Sequence, residues 1–320
     1  MEKILITPRS YGKYDPSVED LLTQAGYTLV RNPVGRILTK EEMMQAIAGC
    51  SGVIIGVDPL DTDVLRCAPN LRAVSKYGVG TDNIDLDYCK AHDIAVSITR
   101  GANAQAVADY AFSLLCACAR KIPLINSCCH ERDWTKRMGL DIYGKKLGIL
   151  GLGAIGKGVA ERATGFHMEV LAYDLYWDEA YANAHGIRFA QPDEIFSVCD
   201  FISLHLPLTE QTRYLVDAAA LARMKPECVL INTARGELID ETALVRALKN
   251  HSIAAAGLDV FREEPPENPA LYELDNLIMG AHCAASTPGA SMAMSRMATE
   301  NLLQNLNPSK ERCDGSSRNL

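Results

Sequence analysis

The sequence predicts an α/β fold in which parallel strands alternate with helices and the chain forms two domains. A chain of 320 residues is longer than a typical single domain. Short apolar runs of strand length alternate with stretches of helical composition, and this alternation is typical of parallel sheets. The pattern starts a second time with a glycine-rich segment after Leu150, which indicates a second sheet.

The first part of the chain contains four predicted strands with polar helices between them. A long helix follows from Asn103, a residue that caps helix N-termini well, to about Arg120. This helix is hydrophobic on nearly all sides, so we expect it to be buried. The predicted strands are Lys3–Thr7, Val53–Val57, Leu71–Ser75 and Ile94–Ser97, and the helices between them include Pro16–Ala25 and Lys40–Ala48.

The second part repeats the order of strand, turn and helix. Leu147–Leu150 is its first strand, and a helix over Ala154–Ala163 follows the glycine-rich turn. This is the doubly wound pattern, in which ligands bind beyond the carboxyl ends of the strands. After Thr287 a last helix is expected over Met292–Asn305, and the polar residues 307–320 are expected to be loose. The later strands are Glu169–Tyr173, Phe201–Leu206, Val229–Thr233, Ala254–Val260 and Leu277–Gly280.

Composition excludes several classes of function. The net charge is −8 and no basic stripe interleaved with aromatic residues occurs, so nucleic acid is not an expected partner. No apolar run approaches the roughly 20 residues of a membrane span, and the N-terminus reads as a strand and not as a signal peptide. The 11 cysteines are scattered without a Cys-x-x-Cys pair. They predict free thiols in the cytoplasm and no metal site.

The glycine-rich turn has the Gly-x-Gly-x-x-Gly pattern at Gly151, Gly153 and Gly156, between a strand and a helix. In this context the glycines permit a tight turn, a close approach of phosphates to the backbone, and close packing of helix on strand. Asp174 ends the next strand and is placed to accept the hydroxyl groups of a ribose. A carboxylate there repels a 2′-phosphate, and no Arg follows it, so the sequence predicts NAD and not NADP.

Three residues that follow predicted strands suggest the chemistry. Arg235 has a rigid guanidinium that fits the carboxylate and carbonyl of a 2-keto acid. His282 suits proton transfer near neutral pH. A carboxylate on its distal nitrogen would fix the tautomer, and both Glu263 and Glu264 are candidates for that contact, because spacing alone does not choose between them.

Five stretches of the chain resemble the NAD-dependent D-2-hydroxyacid dehydrogenases. The resemblance spans most of the chain from about Val74 to Thr287. Its last three stretches are the most specific. The five are Tyr77–Asp85, Leu147–Gly156, Asn232–Asp240, Gly257–Pro266 and Gly280–Thr287.

The resemblance implies a role for each candidate residue. Arg235 would bind the keto acid, Glu264 and not Glu263 would pair with His282, and His282 would be the acid–base. A Glu at this position argues against the formate-oxidising branch, which has Gln. The residues implied to bind NAD are Gly151, Gly153, Ala154, Ile155, Gly156, Asp174, Leu206, Thr212, Thr233, Ala234, Asp259 and Ala284.

The resemblance also implies the domain plan and the assembly. A doubly wound Rossmann domain over residues 99–287 would bind NAD. It would be inserted into a smaller, discontinuous, flavodoxin-like domain over residues 1–98 and 288–320, which would bind the substrate. Members of the family are usually dimers, built partly through Asn103–Arg120, so a homodimer is expected.

The resemblance also bears on the substrate. The resemblance implies that the backbone N–H groups of Gly78, Val79 and Gly80 bind a substrate carboxylate, with Asn103 nearby. The nearest branch oxidises 3-phosphoglycerate and holds the phosphate with basic residues, one of them in the loop that here reads Gly56-Val57-Asp58-Pro59 and contains no Arg.

We hypothesise that Lys76 and Arg100 bind a second anionic group of the substrate, with Lys136 and Arg137 of a partner subunit as further candidates. The alternatives are a reductase of the hydroxypyruvate or glyoxylate type and an NAD(H)-sensing protein of the corepressor type.

Overall fold

The computed structural model describes residues 1–307 and divides into two compact units. The first unit consists of Met1–Asn103 and the described part of Ser286–Leu320, and the second unit is Ala104–Ala285. The sequence predicted the boundaries at residues 98 and 288. The expected loose tail lies, apart from residue 307, outside the described residues.

The first unit contains a five-stranded parallel sheet with the strand order β2-β1-β3-β4-β5. This is the flavodoxin-like order. The helices of the unit are α1 Ser17–Gln24, α2 Lys40–Ile47, α3 Thr62–Arg66, α4 Leu86–Ala91 and, at the end of the chain, α12 Pro288–Leu306. The strands are β1 Lys3–Ile6, β2 Thr28–Arg31, β3 Cys50–Ile55, β4 Ala73–Lys76 and β5 Ala95–Ile98.

The second unit contains a seven-stranded parallel sheet with the order β12-β11-β10-β9-β6-β7-β8. The first strand of this unit, β6, lies between β7 and β9. The chain therefore adds β7 and β8 on one side of β6 and the remaining strands on the other side. This is the switch point at which doubly wound sheets bind their ligands. The strands are β6 Lys146–Leu150, β7 Glu169–Tyr173, β8 Arg188–Phe189, β9 Phe201–Leu204, β10 Val229–Asn232, β11 Ala255–Leu258 and β12 Leu277–Met279.

Helices connect these strands, as the predicted crossover pattern requires. Helix α5 begins at Ala104, directly after Asn103, and packs on α7 and on strands β10 and β11. The helices are α5 Ala104–Arg120, α6 Ile122–His130, α7 Ala154–Thr164, α8 Glu179–His185, α9 Pro192–Val198, α10 Ala218–Arg223 and α11 Glu241–Lys249, with short 3₁₀ turns at Gly236–Leu238 and Pro269–Leu271.

The predicted fold class, parallel α/β with a doubly wound sheet, is confirmed. Central strands such as β3, β9 and β10 are buried along their whole length. Strands covered on both faces are predominantly apolar, which is why the sequence pattern revealed them. Helix α5 is largely buried, as predicted from its apolar composition. No single helix within residues 1–307 is long and apolar enough to cross a membrane; α5 and α6 reach that size only together, with a 60° bend between them.

Candidate active site

The glycine-rich turn after β6 has a shape that side chains would block. Gly151 has φ +103°, and a Cβ there would lie 2.6 Å from the carbonyl carbon of His205. A Cβ on Gly156 would lie 2.0 Å from the carbonyl oxygen of Gly151. Gly153, in contrast, has no atom within 4 Å of its ideal Cβ position. The turn is therefore closed on the protein side and open at Gly153.

The N-terminus of helix α7 lies at this opening. Gly153 is its N-cap residue and supplies no side chain to bind the first N–H groups, which include those of Ala154 and Ile155. An uncapped helix N-terminus offers unpaired donors and a positive dipole end, which favour a phosphate. The loop thus has the shape and the donors that a pyrophosphate needs.

Asp174 follows β7 and is held against the same turn. Its carboxylate accepts hydrogen bonds from the N–H of Leu152 at 2.7 Å and from the N–H of Tyr176 at 2.8 Å. The side chains that follow it, Leu175 and Tyr176, are exposed. The sequence therefore places one fixed carboxylate, and no adjacent cation, where the ribose of a dinucleotide is expected.

The carboxyl ends of β9 and β10 contribute two buried polar atoms that have no partner among the described residues. These atoms are Nδ1 of His205 and Oγ1 of Thr233. The two residues follow Leu204 and Asn232, which are paired in the sheet, so they lie at neighbouring strand ends. Unsatisfied buried polar atoms are costly and commonly mark a ligand site. With the open glycine turn, they fit a dinucleotide cofactor.

His205 is a residue that the sequence reasoning missed. Its Nε2 lies 2.8 Å from Oγ of Ser203, and burial lowers its pKa to about 3, so the ring is neutral near neutral pH. The signal was present, because His205 follows a strand just as His282 does. However, the predicted strand Phe201–Leu206 included His205, so this residue was not recognised as one that follows a strand.

Three other predicted cofactor residues lie on the loops after β9 and β10. Leu206 is buried, and the hydroxyl of Thr212 is held within its own loop by the carbonyl of Pro207 at 2.7 Å. The N–H of Ala234 is bound by Oδ1 of Asn232 at 3.0 Å. The side chain of Thr212 is thus already engaged, whereas that of Thr233 is not.

His282 and Glu264 are in direct contact. Nδ1 of His282 lies 2.8 Å from Oε2 of Glu264, and the other carboxylate oxygen accepts the N–H of Phe261 at 3.1 Å. Burial alone would raise the pKa of Glu264. The hydrogen bond and charge of His282, the Phe261 N–H and the charge of Arg235 outweigh burial and hold the pKa below its ordinary value. Glu263 instead contacts Arg262. The ambiguity between the two glutamates is therefore resolved by geometry.

Arg235 reaches this group from the loop after β10. Nδ2 of Asn232 donates to the Arg235 carbonyl at 2.8 Å, which fixes the turn. The next residue is Gly236, where a Cβ would lie 2.0 Å from the carbonyl carbon of Phe261. This close approach brings the Arg235 loop against the segment that carries Glu264. One unit therefore holds a guanidinium, a carboxylate and an imidazole near each other.

Asp259, at the end of β11, holds the His282 loop. It is 1% exposed, and its carboxylate accepts the N–H groups of Cys283 at 3.0 Å and Ala284 at 2.8 Å. The resemblance assigned Asp259 and Ala284 to the cofactor. In the structure Oδ1 of Asp259 accepts the N–H of Cys283 and Oδ2 accepts the N–H of Ala284, so these groups fix the loop, and their contact with the cofactor stays a prediction.

In the first unit, the three predicted N–H donors have different surroundings. Gly78 has φ +139°, and its N–H donates to Oγ1 of Thr99 at 2.9 Å. The N–H groups of Val79 and Gly80 have no hydrogen-bond partner within residues 1–307. Binding of a substrate carboxylate by this loop stays a prediction, and Val79 and Gly80 are its two unbound donors.

The predicted basic residues lie in different environments. Lys76 is 5% exposed, and its ammonium group donates to the carbonyl of Gly56 and to Oδ1 of Asn83. Arg100 is exposed, and Asn103 is half-buried. The guanidinium of Arg137 binds Asp133 at 2.9 Å and contacts Sγ of Cys128. Arg100 is thus the more accessible of the two cations in our hypothesis.

The described cysteines do not form a metal or disulfide framework. Of the 11 cysteines, the ten within residues 1–307 are free thiols, and no cluster of metal-ligating side chains occurs there. Burial raises the pKa of the Cys118 and Cys199 thiols to about 12. Such thiols are inert packing groups.

Comparison with known proteins gives a consistent picture. Residues 112–284 match the model of the D-isomer specific 2-hydroxyacid dehydrogenase, NAD binding domain. A glyoxylate reductase of Korarchaeum cryptofilum is 37% identical over 273 residues, which cover 83% of this chain and 82% of that protein. A D-3-phosphoglycerate dehydrogenase of Methanocaldococcus jannaschii is 37% identical over 311 residues, which cover 94% of this chain and 57% of that longer protein.

A solved structure shows the same fold over nearly the whole chain. It is a D-lactate dehydrogenase from Aquifex aeolicus complexed with NAD and lactic acid. The TM-score is 0.83 at 25% identity, and the match covers 95% of this chain and 96% of that one.

Proposed function

The chain belongs to the D-isomer specific 2-hydroxyacid dehydrogenases, and from this premise we propose that it reduces small 2-keto acids with a single negative charge, such as glyoxylate or hydroxypyruvate. Membership makes it an NAD-dependent oxidoreductase that interconverts a 2-hydroxy acid and its 2-keto acid. The identity of that acid, the assembly and the role of each residue are parts of the proposal.

The catalytic roles follow from the contact between His282 and Glu264. Because Nδ1 of His282 is bound to the carboxylate, Nε2 is the atom that exchanges a proton with the substrate oxygen. In reduction the imidazolium donates this proton, and Glu264 stabilises its charge. In oxidation the neutral ring accepts it. The guanidinium of Arg235 binds the substrate carboxylate and orients the carbonyl.

Residues at the switch point would hold the cofactor. The glycine turn and the α7 N-terminus would bind the pyrophosphate, Asp174 the ribose, and His205 and Thr233 the remaining polar groups. The bound cofactor would carry the hydride, as NAD⁺ when it is accepted from the 2-hydroxy acid and as NADH when it is given to the 2-keto acid. We propose NAD over NADP because the Asp174 carboxylate would repel a 2′-phosphate. A lower Michaelis constant for NADP than for NAD would refute this preference.

The environment of Asp58 carries the proposal of a small substrate. This residue occupies the loop after β3 and is buried, with its carboxylate bound by the hydroxyl of Thr7 and by the N–H of Leu38. A fixed carboxylate at that position disfavours a phosphate by repulsion. The ammonium group of Lys76 is already bound by Gly56 and Asn83. Both observations support a substrate without a second anionic group.

The second candidate is the 3-phosphoglycerate and 3-phosphohydroxypyruvate pair. Arg100 supports it, because this guanidinium is exposed and lies on the segment just after β5. If Arg100 and Lys76 bind a phosphate, Arg100→Ala and Lys76→Ala will raise KM for a dianionic substrate. Unchanged KM values would remove this candidate.

The deciding experiment is a substrate panel with NADH. We expect kcat/KM for glyoxylate or hydroxypyruvate to exceed that for 3-phosphohydroxypyruvate and for larger 2-keto acids. The opposite order would support the second candidate. Tight binding of NADH without turnover of any substrate would support a sensor of the corepressor type.

We also propose a homodimer in the cytoplasm. Helix α6 buries none of its residues, and Trp134 and Met138 in the following segment are 81% and 88% exposed. Exposed large apolar side chains grouped on one segment are typical of an interface. Free thiols throughout the described chain support a reducing compartment.

A further inference from the structure

The loop that carries His282 is fixed by three successive N–H groups. The N–H of His282 donates to the carbonyl of Asp259 at 2.9 Å, and the N–H groups of Cys283 and Ala284 donate to the Asp259 carboxylate. His282 itself has φ +51°, a conformation that a residue with a side chain adopts only where its surroundings hold it. The direction of the imidazole therefore depends on the surroundings of Asp259.

The side chain of Tyr110, on helix α5, also contacts Asp259 and the loop that carries His282. Its hydroxyl lies 3.4 Å from Sγ of Cys283 and is hydrogen-bonded to the Asp259 carboxylate. At Gly280 a Cβ would lie 2.2 Å from Oδ1 of Asp259 and 2.6 Å from the Tyr110 hydroxyl. The hydroxyl and the carboxylate thus fill the space that a side chain at residue 280 would need. We refer to Tyr110, Asp259, Gly280 and Cys283 as the loop clamp.

The chemistry of the loop clamp requires a donor at Tyr110. Asp259 is buried, and a buried carboxylate needs hydrogen-bond donors to remain stable. Burial raises the pKa of Tyr110, and its contacts with Cys283 and Asp259 raise it further. The hydroxyl consequently keeps its proton over the whole functional pH range. Its neighbours on α5, such as Ala111 and Leu114, are apolar core residues, so this hydroxyl is an exception on its helix.

We propose that Tyr110 is a positioning residue for His282, because its hydroxyl ties residues 280–284 to helix α5 through Cys283 and Asp259. The inference rests on the proposed role of His282 as the acid–base. It adds a residue, remote in sequence, whose effect on the reaction is transmitted through the loop.

The first test is Tyr110→Phe, which removes only the hydroxyl. We expect kcat for keto-acid reduction to fall roughly two- to tenfold, the equivalent of one net hydrogen bond. The dissociation constant for NADH should not change, because the glycine turn is untouched. The matched control is Tyr181→Phe, whose hydroxyl contacts Lys157 and Glu161 and should leave kcat unchanged. An unchanged kcat in Tyr110→Phe would overturn the proposal.

A double-mutant cycle separates positioning from a general loss of structure. If Tyr110 acts through Cys283, the effects of Tyr110→Phe and Cys283→Ala on kcat will not be additive, whereas independent sites add. Cys283→Ser keeps a hydrogen-bonding group and should retain most of the activity. Additive effects, or a decrease explained by unfolding at the assay temperature, would refute the positioning role.

A measurement without turnover keeps this inference separate from the proposed function. In protein labelled with ¹⁵N-histidine, the ring resonances of His282 can be identified by their loss in His282→Gln. We expect Tyr110→Phe to shift them and Tyr181→Phe to leave them in place. Unshifted resonances would refute the inference even if His282 is essential. Full activity of His282→Gln would instead refute the proposed function.

Discussion

At the scale of single residues, the two histidines at strand ends differ because of their neighbours. His282 is partly exposed, and its Nδ1 is bonded to the carboxylate of Glu264. His205 is half-buried with its Nδ1 shielded from solvent, and its ring is bonded to a hydroxyl and neutral. One histidine is therefore equipped to exchange a proton and the other to present a fixed polar atom.

Replacing Glu264 should change the pH dependence of reduction. The pKa of Glu264 is lowered, so its charge is fully present above the ordinary pKa of a glutamate and is lost only as the pH falls through the lower value. In the wild type, reductase activity should therefore fall on the acidic side where Glu264 becomes protonated and no longer holds Nδ1 of His282 as a carboxylate. Glu264→Gln has no carboxylate to protonate, so it should be less active at neutral pH and should lack this acidic decrease. A pH–rate profile that coincides with the wild type would contradict the pairing.

His205 should make the protein sensitive to acid. Burial lowers its pKa from 6.5 to about 3, so the unfolded chain binds the proton more readily in this interval. Above about pH 6.5 His205 is neutral in both the folded and the unfolded chain, so it does not reduce the free energy of unfolding. Below this pH the unfolded chain gains a proton that the folded one does not, and the free energy of unfolding falls by up to about 1.4 kcal/mol per pH unit. The melting temperature of His205→Gln should therefore decrease less than that of the wild type between pH 7 and pH 5. Parallel decreases in the two proteins would exclude this effect.

At the scale of elements, the turn between β6 and helix α7 is closely packed at two of its glycines and open to solvent at the third. Gly151 and Gly156 are enclosed by backbone atoms, whereas Gly153 faces open space. Sequence reasoning identified this turn because its spacing, its strand and its helix all occur within one short segment.

The open position gives a test of cofactor binding. Gly153→Ala should cost about 1 kcal/mol of stability or less, since its Cβ meets no atom. It should weaken NADH binding by about tenfold or more, because a methyl group would hold the phosphate away from the N–H donors. Gly165→Ala at the other end of α7, where the Cβ makes only an ordinary contact, is the control. Equal affinity of Gly153→Ala and wild type for NADH would contradict the proposed turn.

The elements that sequence reasoning missed have few buried residues. Strand β2 lies at a sheet edge with Thr28 and Arg31 exposed, and β8 is a pair of exposed residues. Neither produces an apolar run. Helix α12 starts at Pro288, four residues earlier than predicted, because proline fits the first turn and Thr287 caps it.

The sequence predicted the parts of the site that depend on the type of side chain at the end of a strand. It did not predict the hydrogen bonds that depend on the conformation of the loops. Arg235, Glu264 and His282 follow strands that the sequence pattern locates. The engagement of the Gly78 N–H by Thr99 and of the Asp259 carboxylate by residues 283 and 284 depends on turns whose direction no spacing specifies.

At the scale of the whole molecule, each unit has its own parallel sheet and its own core. The net charge of −8 means that anionic ligands depend on local donors such as the α7 N-terminus and Arg235. The largest exposed apolar side chains of the second unit include Trp134 and Met138, which is the basis of the proposed dimer.

The dimer is tested by charge substitutions. Light scattering after size-exclusion chromatography should give the wild type about twice the 34.9 kDa mass of one chain. The double variant Trp134→Glu, Met138→Asp should approach the mass of a single chain. Ile37→Asp, at an exposed apolar residue of the first unit, should leave the mass unchanged. A monomeric wild type would refute the proposed assembly.

The proton transfer by His282 is measured most directly as kcat of His282→Ala with the best 2-keto acid of the panel and NADH. General acid–base catalysis contributes roughly 10²–10⁴-fold, so we predict that kcat falls by that factor while the melting temperature and the NADH dissociation constant stay close to those of the wild type. A decrease of only a few-fold in a folded, NADH-binding variant would contradict the account.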